Sequence, residues 1–262
     1  MTTKRVLVTG GSQRLGAEIS RQFAQAGWEV WCHYHRSAQA AQQLCEAIRA
    51  AGGQAQPVQA DLADETQRRQ MMQHIATAAG PLRCIVNNAS TFEPDSAAQP
   101  DLAMARQQLE VNLLAPMSLG SLMAQQADDA SGLRCLIHIL DQKVFNLNPD
   151  YFSYTISKLA LERSVALQAQ ALAPAIRVCG IAPGLMYLSG PQTQANFDRA
   201  SRINLLRRPT DPRQVAATCL FFAENPCITG TTIAVDNGQH LVPLPRDVMF
   251  VVEDLMKRAT DV

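Results

Sequence analysis

Short apolar runs alternate along the chain with longer stretches in which apolar residues recur at helical spacing. The runs predict seven strands, at 5–9, 29–34, 54–59, 82–87, 134–140, 176–181 and 231–235. The stretches between them predict helices at 14–26, 38–51, 64–79, 101–127, 153–173 and 211–224. Runs such as Cys84-Ile85-Val86 and Cys135-Leu136-Ile137 are continuously apolar, which is typical of parallel strands covered on both faces. The pattern therefore predicts an α/β fold, a doubly wound parallel seven-stranded sheet with helices on both faces.

The chain contains no repeat, linker or low-complexity segment, so we predict one domain over 1–262. Segment 185–209 lacks strand character and follows a strand end, which in a doubly wound fold is the position of a substrate lid. The tail, 241–262, contains two prolines and then the apolar run Val248-Met249-Phe250-Val251-Val252. Packing on a neighbouring subunit and packing on its own domain are equally compatible with this run.

The composition of the chain indicates which kinds of binding partner are not expected. The 23 basic and 23 acidic residues cancel and no basic stripe is visible, so nucleic acid is not an expected partner. No apolar run is long enough to span a bilayer, and the N-terminus leads directly into the first strand, so we expect no membrane span and no signal peptide. The seven cysteines are widely spaced and lie mostly in apolar runs. This predicts buried thiols in a reducing, cytoplasmic compartment and no metal site.

The first strand runs into Thr9-Gly10-Gly11-Ser12 and then a helix. Such a turn offers free backbone N–H groups to a phosphate, and the helix dipole favours the anion. Gly10 permits the tight turn, and Gly16 lets the helix approach the strand closely. Taken alone, the motif is also compatible with an ordinary strand-to-helix turn. The residues expected to hold a nucleotide here are Gly10, Ser12, Arg14, Leu15 and Gly16.

The end of the second strand reads His33-Tyr34-His35-Arg36-Ser37 and contains no acid. An acid in this region binds the ribose 2′-hydroxyl of NADH, whereas an arginine accommodates the 2′-phosphate of NADPH. Arg36 is therefore expected to pair with that phosphate, with hydrogen bonds from His35 and Ser37 and a second positive charge from Arg14. This favours NADPH, although Arg36 as a solvated surface residue is the alternative. His33 is interpreted as an in-facing strand residue.

Two further turns complete the predicted cofactor half of the domain, residues 1–90. Asp61-Leu62 follows the third strand, where the aspartate either accepts from the adenine amine or caps the next helix. The fourth strand ends in Asn87-Asn88-Ala89-Ser90, whose small residues let a ribose lie against the backbone. A simple turn is the alternative interpretation of that run.

Tyr154 and Lys158 stand four residues apart and so share a helix face. A tyrosine alone holds its proton too tightly at neutral pH, and a nearby ammonium is expected to lower its pKa into a useful range. The chain has only four lysines, so a lysine four residues after Tyr154 is less expected to arise by chance. Lys158 also suits a hydrogen bond to the nicotinamide ribose, and a solvent-facing pair is the alternative.

As a set, these residues resemble the short-chain dehydrogenase/reductase family over nearly the whole chain. The matching features are the Thr9–Gly16 turn, Asp61, Asn87-Asn88-Ala89, Asn112, Tyr154-x3-Lys158 and Pro183-Gly184. The resemblance implies a single Rossmann-fold domain and a homotetramer. It also implies a proton relay of Asn112, Tyr154 and Lys158, with Pro183, Gly184 and Leu185 at the nicotinamide.

The departures resemble the pteridine reductase branch of that family. Asp141 stands where the family usually has Ser, Arg14 and Ser90 stand where it has Gly, and Leu188 lies where a Thr often holds the carboxamide. By this resemblance Phe92 stacks a pterin ring against the nicotinamide, Tyr151 touches the substrate, and Asp141 with Tyr154 handles protons. The alternatives are a hydrophobic loop anchor for Phe92, a surface residue for Tyr151 and a strand-end cap for Asp141.

The chemistry of a pterin suits an aspartate at position 141. An ionised carboxylate would repel the charge that develops on a ketone oxygen during reduction. A pterin instead presents ring nitrogens and an exocyclic amine, to which a carboxyl group donates when protonated and accepts when ionised. We therefore expect an NADPH-dependent reductase of a planar, pterin-like substrate, a dihydropterin or dihydrofolate. The alternatives are a reductase of another carbonyl, quinone or imine, and, from a different class, an NADP(H)-binding sensor or scaffold without turnover.

Overall fold

The computed structural model describes residues 3–126 and 134–260. Its strands are β1 (Arg5–Val8), β2 (Glu29–Tyr34), β3 (Gln54–Gln59), β4 (Cys84–Asn87), β5 (Arg134–Ile139), β6 (Ile176–Pro183) and β7 (Thr231–Val235). Its helices are α1 (Arg14–Gln25), α2 (Ala38–Ala50), α3 (Glu65–Ala79), α4 (Leu102–Leu109), α5 (Ala115–Ala124), α6 (Phe152–Leu172), α7 (Gln194–Ala200), α8 (Pro212–Glu224) and α9 (Val248–Thr260). Residue 127 of the predicted helix 101–127 and residues 261–262 of the predicted tail lie outside the described residues.

All seven strands are parallel and run in the order β3-β2-β1-β4-β5-β6-β7, so the predicted sheet is confirmed. The chain leaves β1 for β2 in one direction and reaches β4 in the other. The order therefore reverses between β1 and β4, and at the carboxyl ends of these strands the connecting loops diverge and leave a crevice. The predicted ligand residues follow the carboxyl ends of β1, β4, β5 and β6, around this crevice.

The core has two layers, one on each face of the sheet. Alternation along β1 sends Val6 and Val8 to one face and Leu7 to the other, as strand geometry requires. On the first face they meet α1, α2 and α8, where Phe23 and Phe222 are fully buried. On the second face lie α3, α5 and α6. Burying each large side chain contributes about 1.5–3 kcal/mol, so the layers fix the strand ends that carry the crevice.

The predicted helix 101–127 is not one regular helix. It is α4 and α5 joined by a π-helical turn at Glu110–Leu114. Asn112 lies within this turn and is 1% exposed. The wider turn inserts an extra residue, which rotates the side chains that follow, and such insertions occur frequently at functional sites. Hydrophobic periodicity did not reveal it because the apolar pattern continues through the turn.

Two helices were missing from the prediction. The predicted lid, 185–209, contains α7, whose N-terminus is capped by Thr193. The tail contains α9, although its run Val248-Met249-Phe250-Val251-Val252 is rich in the β-branched residues that favour strands. Tertiary packing overrides that propensity because α9 is covered on one side by α7 and by the loop before α6.

The tail packs on its own domain. Val248 and Val252 are buried against Ala200, while Met249 is buried against Tyr151 and Tyr154. The Asn196 side-chain amide also donates to the Met249 carbonyl at 2.9 Å, which ties α7 to α9. Of the two alternatives for the tail, packing on its own domain is therefore the one observed. No helix among the described residues is long and apolar enough to cross a membrane.

Candidate active site

A cleft of about 480 Å³ opens at the carboxyl ends of the central strands. Fifteen of the residues predicted for the site line it: Gly10, Arg14, Leu15, Gly16, Asn88, Ala89, Ser90, Phe92, Asp141, Tyr151, Tyr154, Lys158, Pro183, Gly184 and Leu185. The others lie outside its lining: Ser12, His35, Arg36, Ser37, Asp61, Leu62 and Asn112. The structure thus brings the glycine turn and the predicted chemical residues, far apart in sequence, to one cleft.

The glycine turn is held against the end of β4. Gly10 has a φ of 58°, and a Cβ on Gly16 would lie 2.0 Å from the Gly10 carbonyl oxygen, so the helix approaches as closely as glycine allows. The Thr9 hydroxyl accepts from the backbone N–H groups of Asn88 and Ala89 at 2.9 and 3.0 Å. The Asn88 side chain in turn donates to the carbonyls of Thr9 and Gly10. These bonds fix the turn relative to β4.

His33 organises the same turn from beneath. Its Nδ1 accepts from the Gly10 N–H at 3.0 Å, and its carbonyl accepts from the Gly11 N–H at 2.8 Å. Nε2 therefore carries the proton and donates to the Ala60 carbonyl at 3.1 Å. Burial lowers the pKa of His33 to about 4, so the ring is neutral at physiological pH. The sequence placed His33 facing inward but did not reveal that it positions Gly10.

The N-terminus of α1 opens into the cleft without a protein cap. The Gln13 side chain makes no capping bond, and the first turn contains no acid. Its N–H groups and the positive end of its dipole therefore fit an anionic diphosphate. Arg14 adds a cation there.

Arg14 has a φ of 48°, which costs a non-glycine residue roughly 1–2 kcal/mol and explains why glycine suits this position. Its guanidinium donates to the Leu188 carbonyl at 2.9 Å and lies 4.8 Å from the Tyr187 ring. The residue that replaces glycine therefore connects the turn to the predicted lid, and it does so through the carbonyl of Leu188.

The ends of β2 and β3, where the adenine of a dinucleotide is predicted to bind, lie beside one another. His35 Nε2 lies 3.6 Å from Asp61 Oδ2, and Asp61 Oδ1 accepts from the Ala63 N–H. The cap of α3 is Asp64, so the capping alternative for Asp61 is wrong. Arg36 is exposed and makes no hydrogen bond or ion pair within the described parts of the chain, which leaves its guanidinium available to a ligand.

Asp141 and Tyr154 form a hydrogen-bonded pair at the centre of the cleft. The Tyr154 hydroxyl donates to Asp141 Oδ2 at 2.9 Å, and Asp141 Oδ1 accepts from the Lys143 backbone N–H at 2.9 Å. Asp141 therefore also caps the 3₁₀ turn at Gln142–Val144, as the alternative interpretation held. Lys158 lies one turn further along α6 and donates to the Ile139 carbonyl at 2.8 Å.

The expected lowering of the Tyr154 pKa by Lys158 is wrong for this arrangement. Burial, then the charge and hydrogen bond of Asp141, raise the pKa of Tyr154 well above its usual value. Burial likewise raises the pKa of Asp141 and lowers the pKa of Lys158 to about 8. The Lys158 ammonium is directed to the Ile139 carbonyl rather than to the phenol oxygen. Tyr154 is consequently neutral, in the state from which it donates a proton.

Asn112 binds the loop that carries Phe92. Its amide NH2 donates to the Thr91 carbonyl at 2.9 Å and the Ser157 hydroxyl at 3.0 Å, while its oxygen accepts from the Thr91 N–H and the Ser90 hydroxyl. These bonds join the end of β4 to α6. In this structure Asn112 positions the loop, and its role in a proton relay stays a prediction.

Three aromatic rings form one wall of the cleft. Phe92 stacks on Tyr151 with centroids 4.0 Å apart and packs edge-on against Tyr154 at 4.7 Å. Tyr151 is 5% exposed, so the surface-residue alternative is wrong. Its φ of 55° is unusual for a bulky residue, and such backbone strain is concentrated at functional sites. Tyr151 lies between Phe92 and Phe250, so the partly buried Phe92 rather than Tyr151 presents apolar surface beside the Asp141–Tyr154 pair.

The cleft has further lining residues that the sequence did not single out: Gln13, Ile139, Leu140, Gln142, Lys143, Gln239, Asp247, Val248 and Met249. Met186, Tyr187, Ser189 and Gln192, which also line it, lie in the predicted lid, 185–209. Several adjoin a recognised motif, so proximity to Arg14 or Asp141 was a usable signal. Asp247, Val248 and Met249 carried none, because the tail reaches the cleft only through its packing. No group of three or more His, Cys, Asp or Glu residues within 3–126 and 134–260 is arranged to hold a metal ion.

Because burial raises the pKa of Asp141, the free energy of unfolding should depend on pH through this residue, and that dependence can be measured. A carboxyl group whose pKa is raised by folding stabilises the folded state at low pH, and that contribution is lost as the pH rises through the folded-state pKa. We expect wild type to lose unfolding free energy relative to Asp141→Asn as the pH rises above about 4, the ordinary aspartate pKa, when both are measured by urea denaturation. Asp64→Asn is the control, because the pKa of Asp64 is lowered. A stability difference between wild type and Asp141→Asn that is independent of pH would contradict the raised pKa.

Known proteins are similar to this chain in sequence and in fold. Residues 11–240 match the family model described as enoyl-(acyl carrier protein) reductase. An uncharacterized oxidoreductase of Mycobacterium tuberculosis is 32% identical, covering 90% of this chain and 91% of its own length. Pteridine reductase 1 of Leishmania tarentolae is 29% identical, covering 92% and 97%. The structure of FolM alternative dihydrofolate reductase 1 from Brucella canis, complexed with NADP, superposes with a TM-score of 0.87 at 38% identity, covering 92% and 95%.

Proposed function

The chain belongs to the short-chain dehydrogenase/reductase family of oxidoreductases, and on that premise we propose that it is an NADPH-dependent reductase of a pterin-like substrate. The substrate class is a dihydropterin or dihydrofolate, reduced at a C=N bond. The observation that carries the proposal is the hydrogen bond between Tyr154 and Asp141, because burial raises the pKa of both groups and keeps the Tyr154 hydroxyl protonated as the donor. The similarity to a pteridine reductase and to a dihydrofolate reductase supports the same substrate class.

Several features support NADPH as the cofactor. The uncapped N-terminus of α1 and the cation of Arg14 suit the diphosphate. At the end of β2, the exposed Arg36 stands where an acid would select NADH, and its planar fork suits a 2′-phosphate. Two similar structures, from Brucella canis and Brucella suis, are NADP complexes. His35, Ser37, Asp61 and Leu62 belong to the same proposed adenosine site.

In the proposed mechanism, different residues bind the substrate ring and transfer the proton. Phe92 offers apolar surface to a planar ring and is supported from behind by Tyr151, which stacks on it. Val248 and Met249 of α9 also line the cleft. When bound, NADPH would supply the hydride for the ring carbon. Tyr154 donates its hydroxyl proton to the ring nitrogen, and Asp141, which is hydrogen-bonded to that hydroxyl, relays a replacement proton from solvent to the phenolate. Lys158, whose ammonium donates to the Ile139 carbonyl and is protonated below its lowered pKa of about 8, would hold the ribose of the cofactor.

The activity test is NADPH oxidation with 7,8-dihydrobiopterin, 7,8-dihydrofolate and a panel of ketones and quinones. We expect turnover of the dihydropterins, and we expect Tyr154→Phe to lower kcat by about 10²–10⁴-fold while NADPH binding is retained, since only the proton donor is removed. Turnover of ketones or quinones alone would refute the substrate class. Silence across the panel with intact NADPH binding would favour a sensor or scaffold.

The cofactor preference is tested at Arg36. Arg36→Ala should weaken NADPH binding by about 10- to 100-fold, the equivalent of roughly 1.5–3 kcal/mol for hydrogen bonds to a charged group, and should leave NADH unchanged. Arg69→Ala on α3 makes the same charge change away from the cleft and serves as the control. The measurement is the dissociation constant of NADPH and of NADH for each variant, obtained by fluorescence titration. Equal losses for the two cofactors would reject the contact with the 2′-phosphate.

We further propose a cytoplasmic homotetramer. Six of the seven cysteines are buried free thiols, which suits a reducing compartment. Exposed apolar side chains occur on the π-helical turn, on α5 and on α6, namely Leu114, Met117, Ile156 and Leu167. Apolar surface of this kind supports association between copies of the chain.

Light scattering tests the assembly. We expect the mass of four chains for wild type and a smaller species for Leu167→Glu, because Leu167 is 66% exposed and its replacement adds charge to the proposed contact without disturbing the core. Leu255→Glu is a matched control, since Leu255 is also exposed but lies on α9 rather than on α5 or α6. A monomeric wild type would contradict the proposal.

A further inference from the structure

Lys143 holds two carboxyl groups at the substrate end of the cleft. Its backbone N–H donates to Asp141 Oδ1, and its ammonium forms an ion pair with Asp247 Oδ2, both at 2.9 Å. The ammonium also donates to Asn148 Oδ1 at 3.2 Å and to the Asp150 carbonyl at 3.3 Å. Its three N–H bonds are thereby used, and the side chain is 3% exposed. Lys143 is a positioning residue with no donor left for a ligand.

Asp247, by contrast, retains capacity to bind. Its Oδ2 accepts from Lys143 and its Oδ1 from the Met249 N–H at 3.1 Å. A carboxylate has about four acceptor positions, so about one remains on each oxygen. The side chain is 17% exposed and lines the cleft. Asp247 thus brings acceptor capacity on both carboxylate oxygens to the lining of the cleft.

The position of Asp247 is rigidly set. Asp150 accepts from the Arg246 guanidinium at 2.8 Å and from the Asp247 backbone N–H at 2.7 Å. Met249, two residues further on, is buried against Tyr151 and Tyr154. The start of α9 is therefore held from both sides, and little ordering entropy remains to be lost when Asp247 binds a ligand.

We propose that Asp247 is a substrate-binding residue that accepts two neighbouring N–H groups of the pterin, ring N3–H and the exocyclic 2-amino group. This proposal rests on the proposed function and deepens it, since it makes Asp247 the residue that selects a 2-amino-4-oxo ring. Two parallel N–H donors match the two free acceptors of the carboxylate, in the manner of a bidentate guanidinium. A ring with a carbonyl at position 2 turns an acceptor towards Asp247 and is rejected.

The two carboxyl groups have separate tasks in this arrangement. Asp141 bonds to the Tyr154 hydroxyl, has a raised pKa and serves proton transfer. Asp247 is paired with the Lys143 ammonium and serves recognition. Different environments for two neighbouring carboxyl groups are a common way to divide such roles. In this arrangement Asp247 binds one edge of the ring, and the bond that is reduced lies near Tyr154.

The test compares 6-methylpterin with 6-methyllumazine, which has a carbonyl in place of the 2-amino group. Both are fully oxidised rings, so calorimetry with saturating NADP+ measures binding without turnover. We expect wild type to prefer the pterin by at least about tenfold, because a site built for a donor rejects an analogue that lacks it. Asp247→Asn presents one acceptor and one donor, which matches the N3–H and carbonyl of lumazine, so the preference should vanish or reverse.

Asp254→Asn is the matched control, since it makes the same charge change on an exposed position of α9 and should keep the wild-type preference. A purely structural role of Asp247 would weaken both rings equally in Asp247→Asn and lower its melting temperature, and that result would overturn the proposal. A wild type without preference would also overturn it. Turnover of 7,8-dihydrobiopterin by wild type is measured separately, so failure of the proposed function is distinguished from failure of Asp247 as the selecting residue.

Discussion

The hydrogen bond between Tyr154 and Asp141 is the interaction on which the rest of the site depends. Removing a carboxyl group and a phenol from water disfavours their ionised forms, so burial raises the pKa of both groups. The cost of burying Asp141 is offset by donors on two sides, the Tyr154 hydroxyl and the Lys143 N–H. Each donor comes from an element whose position is set elsewhere, Tyr154 by α6 and Lys143 by its ion pair with Asp247. The surrounding fold is therefore needed to exclude water from Asp141 and Tyr154 and to hold them at hydrogen-bonding distance.

The same logic of buried polar groups with assigned partners recurs around the cleft. His33 is kept neutral by burial and accepts from Gly10, which fixes the turn for a diphosphate. Asn112, within a π-helical turn, holds both backbone groups of Thr91 and so positions the loop of Phe92. Each of these groups fills its hydrogen-bonding capacity inside the protein. The cleft is consequently preorganised by residues that do not themselves face the substrate.

Sequence reasoning was most reliable where local pattern and chemistry coincide. All seven predicted strands are observed, because buried parallel strands are continuously apolar. The Tyr154–Lys158 spacing and the glycine turn identified two sides of the cleft. The direction of the Tyr154 pKa was predicted wrongly, because it depends on burial and on which atom the Lys158 ammonium faces. For Asp61 the sequence left a ligand role and the cap of α3 both open, and the structure gives the cap to Asp64.

The sequence by itself determined the sheet and the family resemblance and predicted which side chains react, because hydrophobic period and motif spacing are local properties of the chain. Only the tertiary structure decided how the tail is used. Residues 248–252 have strand-like composition, yet they form α9 because α7 and the Tyr151 wall cover one side of them. This packing carries Asp247 to Lys143, far away in sequence, and no local signal encodes an ion pair that exists only after the sheet, α6 and α9 have come together.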